Sequence, residues 1–403
     1  MNDNVEVNTR ATGADSAVPR LHRRTIVKGA AWSVPLIAAA AAAPAYAVSG
    51  CTQVGQLVET RATTQNFATA RPEVPVTIPA GVTRMHFVVV GGDGGYAVRN
   101  GGYASGKGAY LEGDVAVTAG STFYLQAGAG GEFGWYPDSG GGYGRGGKSL
   151  YGNGGNGGAS TASGAAFHGD GGGGASALLD ASRSPIAVAG GGGGSNTNFY
   201  PDGPNAALYS ASLEHDQVAT YGSSSVTAFG GACNAGLPGV RGQTGSLGWM
   251  GQRSSLAEPT PTQIVLMSGG GIGGGAGANS GGAGGVPQWV AGPDFANYWA
   301  RSGSAGSGRN GGNGAAAPGA PTGGGPGGGG GGFSGGGGGA AVATAWWGVP
   351  APYDGKYGIA GAGGGGSSYL RDDVTNRITQ LDPRPVSTDD GEMGYVQVTF
   401  YTC

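Results

Sequence analysis

The longest glycine run of the chain, residues 323–339, reads GGGPGGGGGGFSGGGGG and constrains the fold more than any other stretch. Glycine loses the most backbone entropy on ordering, so such a run is by default a flexible linker. The alternative is ordered packing, because extended chains without side chains can approach closely and pair their N–H and C=O groups laterally. The run continues directly into the apolar segment 340–349, which favours ordered packing for most of these glycines and disorder for the remainder.

Shorter glycine runs punctuate the rest of the chain, which holds 94 glycines and 22 prolines in 403 residues. They lie at 91–95, 140–158, 171–174, 190–194, 269–285 and 361–366. The segments between them alternate as β-strands do. We predict strands over 74–78, 84–90, 109–117, 121–127, 176–179, 186–189 and 395–402, the last with the cleanest alternation. Residues 118–120 are predicted to form a hairpin turn, and helix is predicted to be minor because no long 3.6-residue apolar pattern occurs.

The first 47 residues have the order of parts of an export leader. A twin-arginine pair at Arg23 and Arg24 precedes an uncharged, alanine-rich stretch over 29–43, which is too short for a transmembrane helix. An A-x-A motif then predicts cleavage between Ala47 and Val48. The block RRTIVKGAAWSVP also resembles leaders of actinobacterial exported proteins. We therefore expect a twin-arginine-type signal peptide over 1–47 and a mature domain over 48–403.

The mature chain is expected outside the cytosol, either secreted or at the cell surface. The leader holds five of the 21 basic and three of the 24 acidic side chains, so the mature chain has a net charge of −5. Without a basic cluster, nucleic acid is an unfavourable partner. No later apolar run is long enough to span a membrane. An alternative at the leader is a lipoprotein cleavage box, Val48 to Cys51, which would acylate Cys51.

The order of these segments resembles the glycine-rich domain of many secreted bacterial proteins and of the extracellular region of anaplastic-lymphoma-kinase-type receptors. The matching pieces span most of the mature chain and lie at 76–95, 106–131, 186–194, 327–339, 361–370 and 394–401. The resemblance implies an all-β, jelly-roll-like β-sandwich with polyglycine-II helices and long glycine-rich loops inserted between its strands. Residues 200–258 and 286–301 fit the pattern poorly and are expected to be loops particular to this protein. The receptors' role in binding a protein ligand does not transfer, because no ligand-contact motif maps onto this chain.

Two motifs of catalytic or nucleotide-binding proteins occur by letter but lack their structural context. Residues 142–149 match the phosphate-loop pattern GxxxxGK[ST], yet no apolar strand precedes them and no helical pattern follows. Ser334 lies in a GxSxG sequence without the strand-to-helix turn of a nucleophile elbow.

The remaining titratable side chains give no clear catalytic or metal-binding pattern. His86 lies on the polar face of a strand and is expected to be structural. The acidic pairs at 372–373 and 389–390 are expected to be solvated turns, with a calcium site as the alternative. We predict no catalytic residue, no cofactor and no metal site.

Aromatic side chains in or beside the glycine segments give the best functional hint. Tyr, Trp, Ser, Gly and Asn together are typical of recognition loops, although such rings could instead cap a glycine bundle that has few other apolar groups. The aromatics singled out as candidate binding residues are Trp135, Tyr136, Trp249, Trp289, Trp299, Trp346 and Trp347.

Three cysteines, Cys51, Cys233 and Cys403, allow three single pairings in an oxidising compartment. Cys51 opens the mature domain and Cys403 closes it, and domain termini often lie close together. In a sandwich the first and last strands are often neighbours, which is also where the family resemblance puts them. We predict a Cys51–Cys403 bridge, with Cys233 free or paired between molecules.

The sequence as a whole favours a secreted or cell-surface, non-enzymatic structural or interaction protein on a polyglycine scaffold. Its partner would be a protein or glycan at the cell envelope. The alternative is an adhesin-like module that stacks glycans on its aromatics, and a hydrolase built on Ser334 comes third because no His/Asp partner set accompanies that serine.

Overall fold

The structure is a computed structural model, and the parts of the chain it describes are separated by gaps. It describes residues 50–95, 106–134, 143–159, 168–196, 208–213, 218–221, 224–227, 234–245, 247–252, 265–268, 271–290, 298–316, 325–345, 356–385 and 390–403. The predicted export leader, its predicted cleavage site at Ala47 and Val48, and Cys233 lie outside these ranges. One 3₁₀ turn, Thr64–Phe67, is the helical element of the described part. No helix in that part is long and apolar enough to cross a membrane.

The described ranges contain strands in the following order. They are β1 (Thr52–Arg61), β2 (Val74–Thr77), β3 (Arg84–Val90), β4 (Ala109–Ala116), β5 (Thr122–Gln126), β6 (Ser176–Leu179), β7 (Pro185–Ala189), β8 (Leu208–Leu213), β9 (Val218–Tyr221), β10 (Ser224–Thr227), β11 (Leu247–Gln252), β12 (Val265–Ser268), β13 (Pro287–Val290), β14 (Tyr298–Arg301), β15 (Ala341–Ala345), β16 (Lys356–Ala360), β17 (Tyr369–Leu370), β18 (Thr375–Leu381) and β19 (Tyr395–Thr402).

Two five-stranded antiparallel sheets form a β-sandwich, as the predicted all-β class requires. The first sheet has the order β1-β19-β3-β4-β18 and the second β17-β7-β6-β5-β2. Their facing side chains fill one apolar core, in which Phe87 of the first sheet and Leu125 and Ile186 of the second are fully buried. The predicted alternation is confirmed in β3, where Met85, Phe87 and Val89 are buried. The same holds in β19, whose pattern alternates between buried and half-buried residues.

The predicted hairpin at residues 118–120 is wrong. The strands on either side, β4 and β5, lie in opposite sheets and do not pair with each other. Gly120, with φ of 80°, donates its N–H to the carbonyl of Ile78 rather than closing a two-stranded ladder. Because β4 and β5 face the same core from opposite sides, a hydrophobic pattern alone cannot tell a crossover from a hairpin. The predicted pair over 176–179 and 186–189 is confirmed as β6 and β7.

Two strands that the apolar pattern does not predict, β1 and β18, form the edges of the first sheet. Most of their side chains are exposed, so they carry no buried face to mark them. Residues 200–258 and 286–301, expected to be loops, contain strands of three smaller sheets. These sheets have the orders β10-β9, β13-β12-β11-β8 and β14-β15-β16.

The glycine segments 91–95, 171–174, 190–194, 327–332 and 361–366 are buried, and backbone hydrogen bonds join them to one another and to other segments. Residues 327–332 donate their N–H groups in three directions, with a period of three residues. Gly327 and Gly330 donate to carbonyls of segment 361–368. Gly328 and Gly331 donate to carbonyls of segment 168–174. Gly329 and Gly332 donate to carbonyls of segment 302–316, which runs antiparallel to residues 327–332. The described part of the longest run, 325–339, is therefore packed and is not a linker.

The first and last strands meet at one edge of the sandwich. β1 pairs antiparallel with β19, so that Thr52 lies opposite Thr402. Cys51 and Cys403 form a disulfide there, with Cα atoms 4.2 Å apart. This is the pair that the sequence predicts, and it joins residues separated by 352 positions.

Candidate functional site

An ion pair lies inside the glycine packing, where the sequence GGDGG meets GKG. Lys107 Nζ donates to Asp93 Oδ2 at 2.8 Å, and the Gly108 N–H donates to Asp93 Oδ1 at 2.7 Å. The side chains of Asp93 and Lys107 are 1% and 13% exposed. Burial raises the pKa of Asp93 to about 6, although the nearby ammonium of Lys107 opposes the rise.

A second layer of charge surrounds this pair. Lys107 Nζ also donates to the carbonyl oxygen of Arg384 at 2.7 Å. The guanidinium of Arg384 in turn binds Asp382 through Nε at 2.8 Å and lies 3.3 Å from Glu392 through Nη1. The Asp382 N–H donates to the carbonyl of Gly108, which fixes the layer against the glycine segment. We call the five side chains Asp93, Lys107, Asp382, Arg384 and Glu392 the ionic cluster.

Another aspartate, Asp170, is buried within glycine segment 168–174. Its Oδ1 accepts the Gly134 N–H at 2.7 Å, and its Oδ2 accepts the hydroxyl of Ser195. Both donors are neutral, so burial dominates and raises the pKa of Asp170 to about 7. This carboxyl can therefore take up a proton near neutral pH.

His86 links two strands of the first sheet, as expected of a structural histidine. Its Nδ1 lies 2.9 Å from Asp114 Oδ1 on the neighbouring strand, and Asn376 donates to the other carboxylate oxygen. Burial alone would raise the pKa of Asp114, but these hydrogen bonds hold it below its ordinary value. The arrangement joins β3, β4 and β18.

The phosphate-loop match has no free cradle in its described part, 143–149. The Gly144 and Gly147 N–H groups donate to carbonyls of segment 168–174, and the Lys148 N–H donates to Asn66. The Ser149 N–H donates to Asn153 Oδ1. A phosphate site requires such N–H groups to point at the ligand, whereas here they are used within the protein, so the match reflects glycine content.

Ser334 has no nucleophilic geometry. It is fully buried, its hydroxyl donates to the carbonyl of Gly277, and it accepts the Ser280 N–H at 2.7 Å. The hydroxyl thereby joins two glycine segments.

The acidic pairs at 372–373 and 389–390 are described in part. Asp373 is bound by Arg371 Nε at 2.7 Å, and Asp389 lies outside the described residues. Within the described part, no three His, Cys, Asp or Glu side chains cluster as metal ligands do.

The structure describes only the backbone positions of three candidate binding aromatics. Trp249, Trp289 and Trp299 lie within β11, β13 and β14 of the smaller sheets rather than in loops. Trp249 and Trp289 occupy adjacent register rows of the sheet β13-β12-β11-β8. The side chains of these three, and the whole of Trp135, Tyr136, Trp346 and Trp347, lie outside the described residues.

The outer face of the first sheet carries aromatic and charged side chains that motif analysis missed. The guanidinium of Arg61 lies 4.4 Å from the ring centroid of Tyr395, and that of Arg84 lies 4.9 Å from Tyr401. The alternation of β19 could have revealed this face, since it places both tyrosines opposite the core-facing residues.

Comparison with known proteins finds no family model and no curated sequence that matches the chain.

Proposed function

We propose that the protein is a secreted or cell-surface, non-enzymatic structural or interaction protein. It would be exported through the twin-arginine-type leader over 1–47. Its mature domain would be a jelly-roll-like β-sandwich into which polyglycine-II helices are inserted as a rigid scaffold. Its partner would be a protein or a glycan of the cell envelope.

The observation that carries this proposal is the three-residue period of the hydrogen bonds from residues 327–332. A polyglycine-II helix has three residues per turn and no internal hydrogen bonds, so each face can pair with a different neighbour. The same step of three recurs where Gly191 and Gly194 donate to the carbonyls of Gly331 and Gly328. A bundle held in this way has little freedom to move, which suits a scaffold that presents surfaces.

The charge distribution supports recognition rather than catalysis. The carboxyl groups of Asp93, Asp170 and Asp382 are buried within the glycine packing, where a substrate would have to displace backbone hydrogen bonds. By contrast, the outer face of the first sheet is accessible and combines tyrosine rings with arginine and glutamate side chains. Such mixed surfaces are typical of polar recognition.

Backbone hydrogen exchange of the mature protein tests the scaffold. We expect protection factors across 325–339 that match those of β3 and β19, because exchange would require opening of the bundle. Exchange within seconds across these glycines would return the run to the linker class and remove the support for the proposal.

Partner class is tested by a glycan array probed with the mature protein, alongside the Trp346→Ala/Trp347→Ala double variant. Glycan binding that the double variant loses would favour the adhesin-like alternative.

The third candidate, a hydrolase, is tested by labelling with a serine-reactive phosphonate, with Ser334→Ala as the matched control. We expect equal, background labelling of both proteins, and labelling of wild type alone would refute the non-enzymatic assignment.

A further inference from the structure

The ion pair between Asp93 and Lys107 is held unusually firmly for two flexible side chains. The Asp93 carboxylate is fixed through Oδ1 by the Gly108 N–H, and its own N–H donates to the carbonyl of Glu392. Lys107 is fixed at both ends, because its N–H donates to Asn234 Oδ1 at 2.7 Å and its Nζ donates to the Arg384 carbonyl. The two reacting groups of an amide condensation are thus positioned in contact before any reaction.

We propose that Lys107 and Asp93 condense into an intramolecular isopeptide bond between Nζ and the Asp93 side-chain carbonyl carbon. An ammonium and a carboxylate differ from an amide by one molecule of water, so the reaction needs no oxidant, reductant or co-substrate. Both groups come from this chain, and the bond would tie glycine segment 91–95 to segment 106–108.

The step balances as follows. The ammonium of Lys107 passes one proton to Asp93 Oδ2, along the hydrogen bond that already joins them at 2.8 Å. The resulting neutral amine attacks the carbonyl carbon, and the Gly108 N–H stabilises the negative charge that develops on Oδ1. A second proton moves from the nitrogen to Oδ2, which then leaves as water, and the amide nitrogen keeps its last hydrogen.

The surroundings favour this condensation over a lasting ion pair. Taking two charges out of water is costly, and a buried pair recovers that cost only with excellent geometry. Converting the pair to a neutral amide removes both charges from the interior and releases water to the solvent. The raised pKa of Asp93, about 6, also makes the protonated acid accessible near neutral pH, and Asp382 contributes to that rise.

Intact-mass spectrometry of the denatured, unreduced mature protein tests the bond, with Lys107→Arg as the matched control. Arginine keeps the positive charge beside Asp93 but does not form a stable amide. We expect wild type to be lighter than its sequence mass, already corrected for the Cys51–Cys403 bridge, by one water. The variant should show no such deficit.

Tryptic mapping then locates the deficit. The bond would block cleavage after Lys107 and yield one branched peptide, in which residues 85–99 are joined to residues 100–145. Two results would overturn the proposal. The first is a wild-type mass without the deficit. The second is a deficit that persists in Lys107→Arg, because the sequence Asp93-Gly94 can lose water by forming a succinimide. The structure disfavours the succinimide, since the Gly94 N–H donates to the carbonyl of Gly106.

Discussion

A single methyl group placed in the glycine bundle should destabilise the protein strongly. A Cβ on Gly329 would lie 2.2 Å from the carbonyl oxygen of Gly336, whereas ordinary contacts begin at 3.4 Å. The Gly336 segment would therefore have to move by about 1.2 Å, the difference between these two distances. The Gly336 carbonyl accepts the Gly312 N–H at 2.8 Å, and the Gly336 N–H donates to Gly330 at 2.8 Å. A shift of that size breaks hydrogen bonds of this kind.

The expected loss of unfolding free energy follows from these contacts. Overpacking costs roughly 1–3 kcal/mol, and each buried group left unpaired costs roughly 1–3 kcal/mol more. Reduced entropy of the unfolded chain returns only about 0.4–1 kcal/mol. With both hydrogen bonds of Gly336 broken, these terms sum to an expected loss of about 2–9 kcal/mol for Gly329→Ala.

The matched control is Gly277→Ala, because Gly277 is exposed and a Cβ there meets nothing closer than Ser280 Oγ at 3.7 Å. Its stability should change by less than about 1 kcal/mol. Equilibrium unfolding in guanidinium chloride, followed by circular dichroism, measures both variants. Equal midpoints for Gly329→Ala and Gly277→Ala would refute the packed-glycine argument.

Three further predictions concern the bridge, the buried acid and the asparagines. Cys51→Ser should lower stability by about 5–6 kcal/mol in the chain-entropy model because the bridge to Cys403 closes a very long loop, and non-reducing peptide mapping with melting curves of both proteins checks this. Asp170 has a folded-state pKa of about 7 and an ordinary pKa of 3.8. Between these two pH values the folded state binds more protons than the unfolded state, so the free energy of unfolding should fall by up to about 4 kcal/mol as pH rises from one to the other. Asp170→Asn should flatten this dependence in denaturant titrations at pH 4 and pH 8, and an unchanged slope would contradict it. At the Asn–Gly sequences of Asn153 and Asn310, the N–H of the following glycine donates to a backbone carbonyl, that of Gly147 and of Asn153 respectively. Peptide mapping after incubation should therefore find deamidation faster in denatured than in native protein.

The parts of the fold that could be predicted are those whose side chains face the core. β3 and β19 bury every second residue, and that period is visible in the sequence. β1 and β18 are edge strands with mostly exposed residues, so their sequences carry no such period. The sequence cannot distinguish the crossover between β4 and β5 from a hairpin, because its turn residues suit either connection.

The candidate sites were harder to predict because they depend on distant parts of the chain. The ionic cluster joins Lys107 to Arg384, 277 positions away, and its only sequence signal is a charged residue inside a glycine run. The Cys51–Cys403 pair was predictable because domain termini often meet. For Ser334, the missing strand-to-helix turn was already visible in the sequence.

The three-way pairing of the glycine segments has a consequence for how the chain folds. Gly330 donates its N–H to residue 364, and its neighbour Gly331 donates to residue 173. Two adjacent residues therefore depend on one partner that follows them in the sequence and one that precedes them by more than 150 residues. Residues 327–332 donate every N–H to another segment, so this stretch cannot nucleate itself through local hydrogen bonds, and glycine loses the most entropy when it is ordered. Loop-closure entropy must therefore be overcome for several distant segments before any of them is held. We expect slow folding of high contact order, in which the sandwich core forms first and the glycine bundle assembles late.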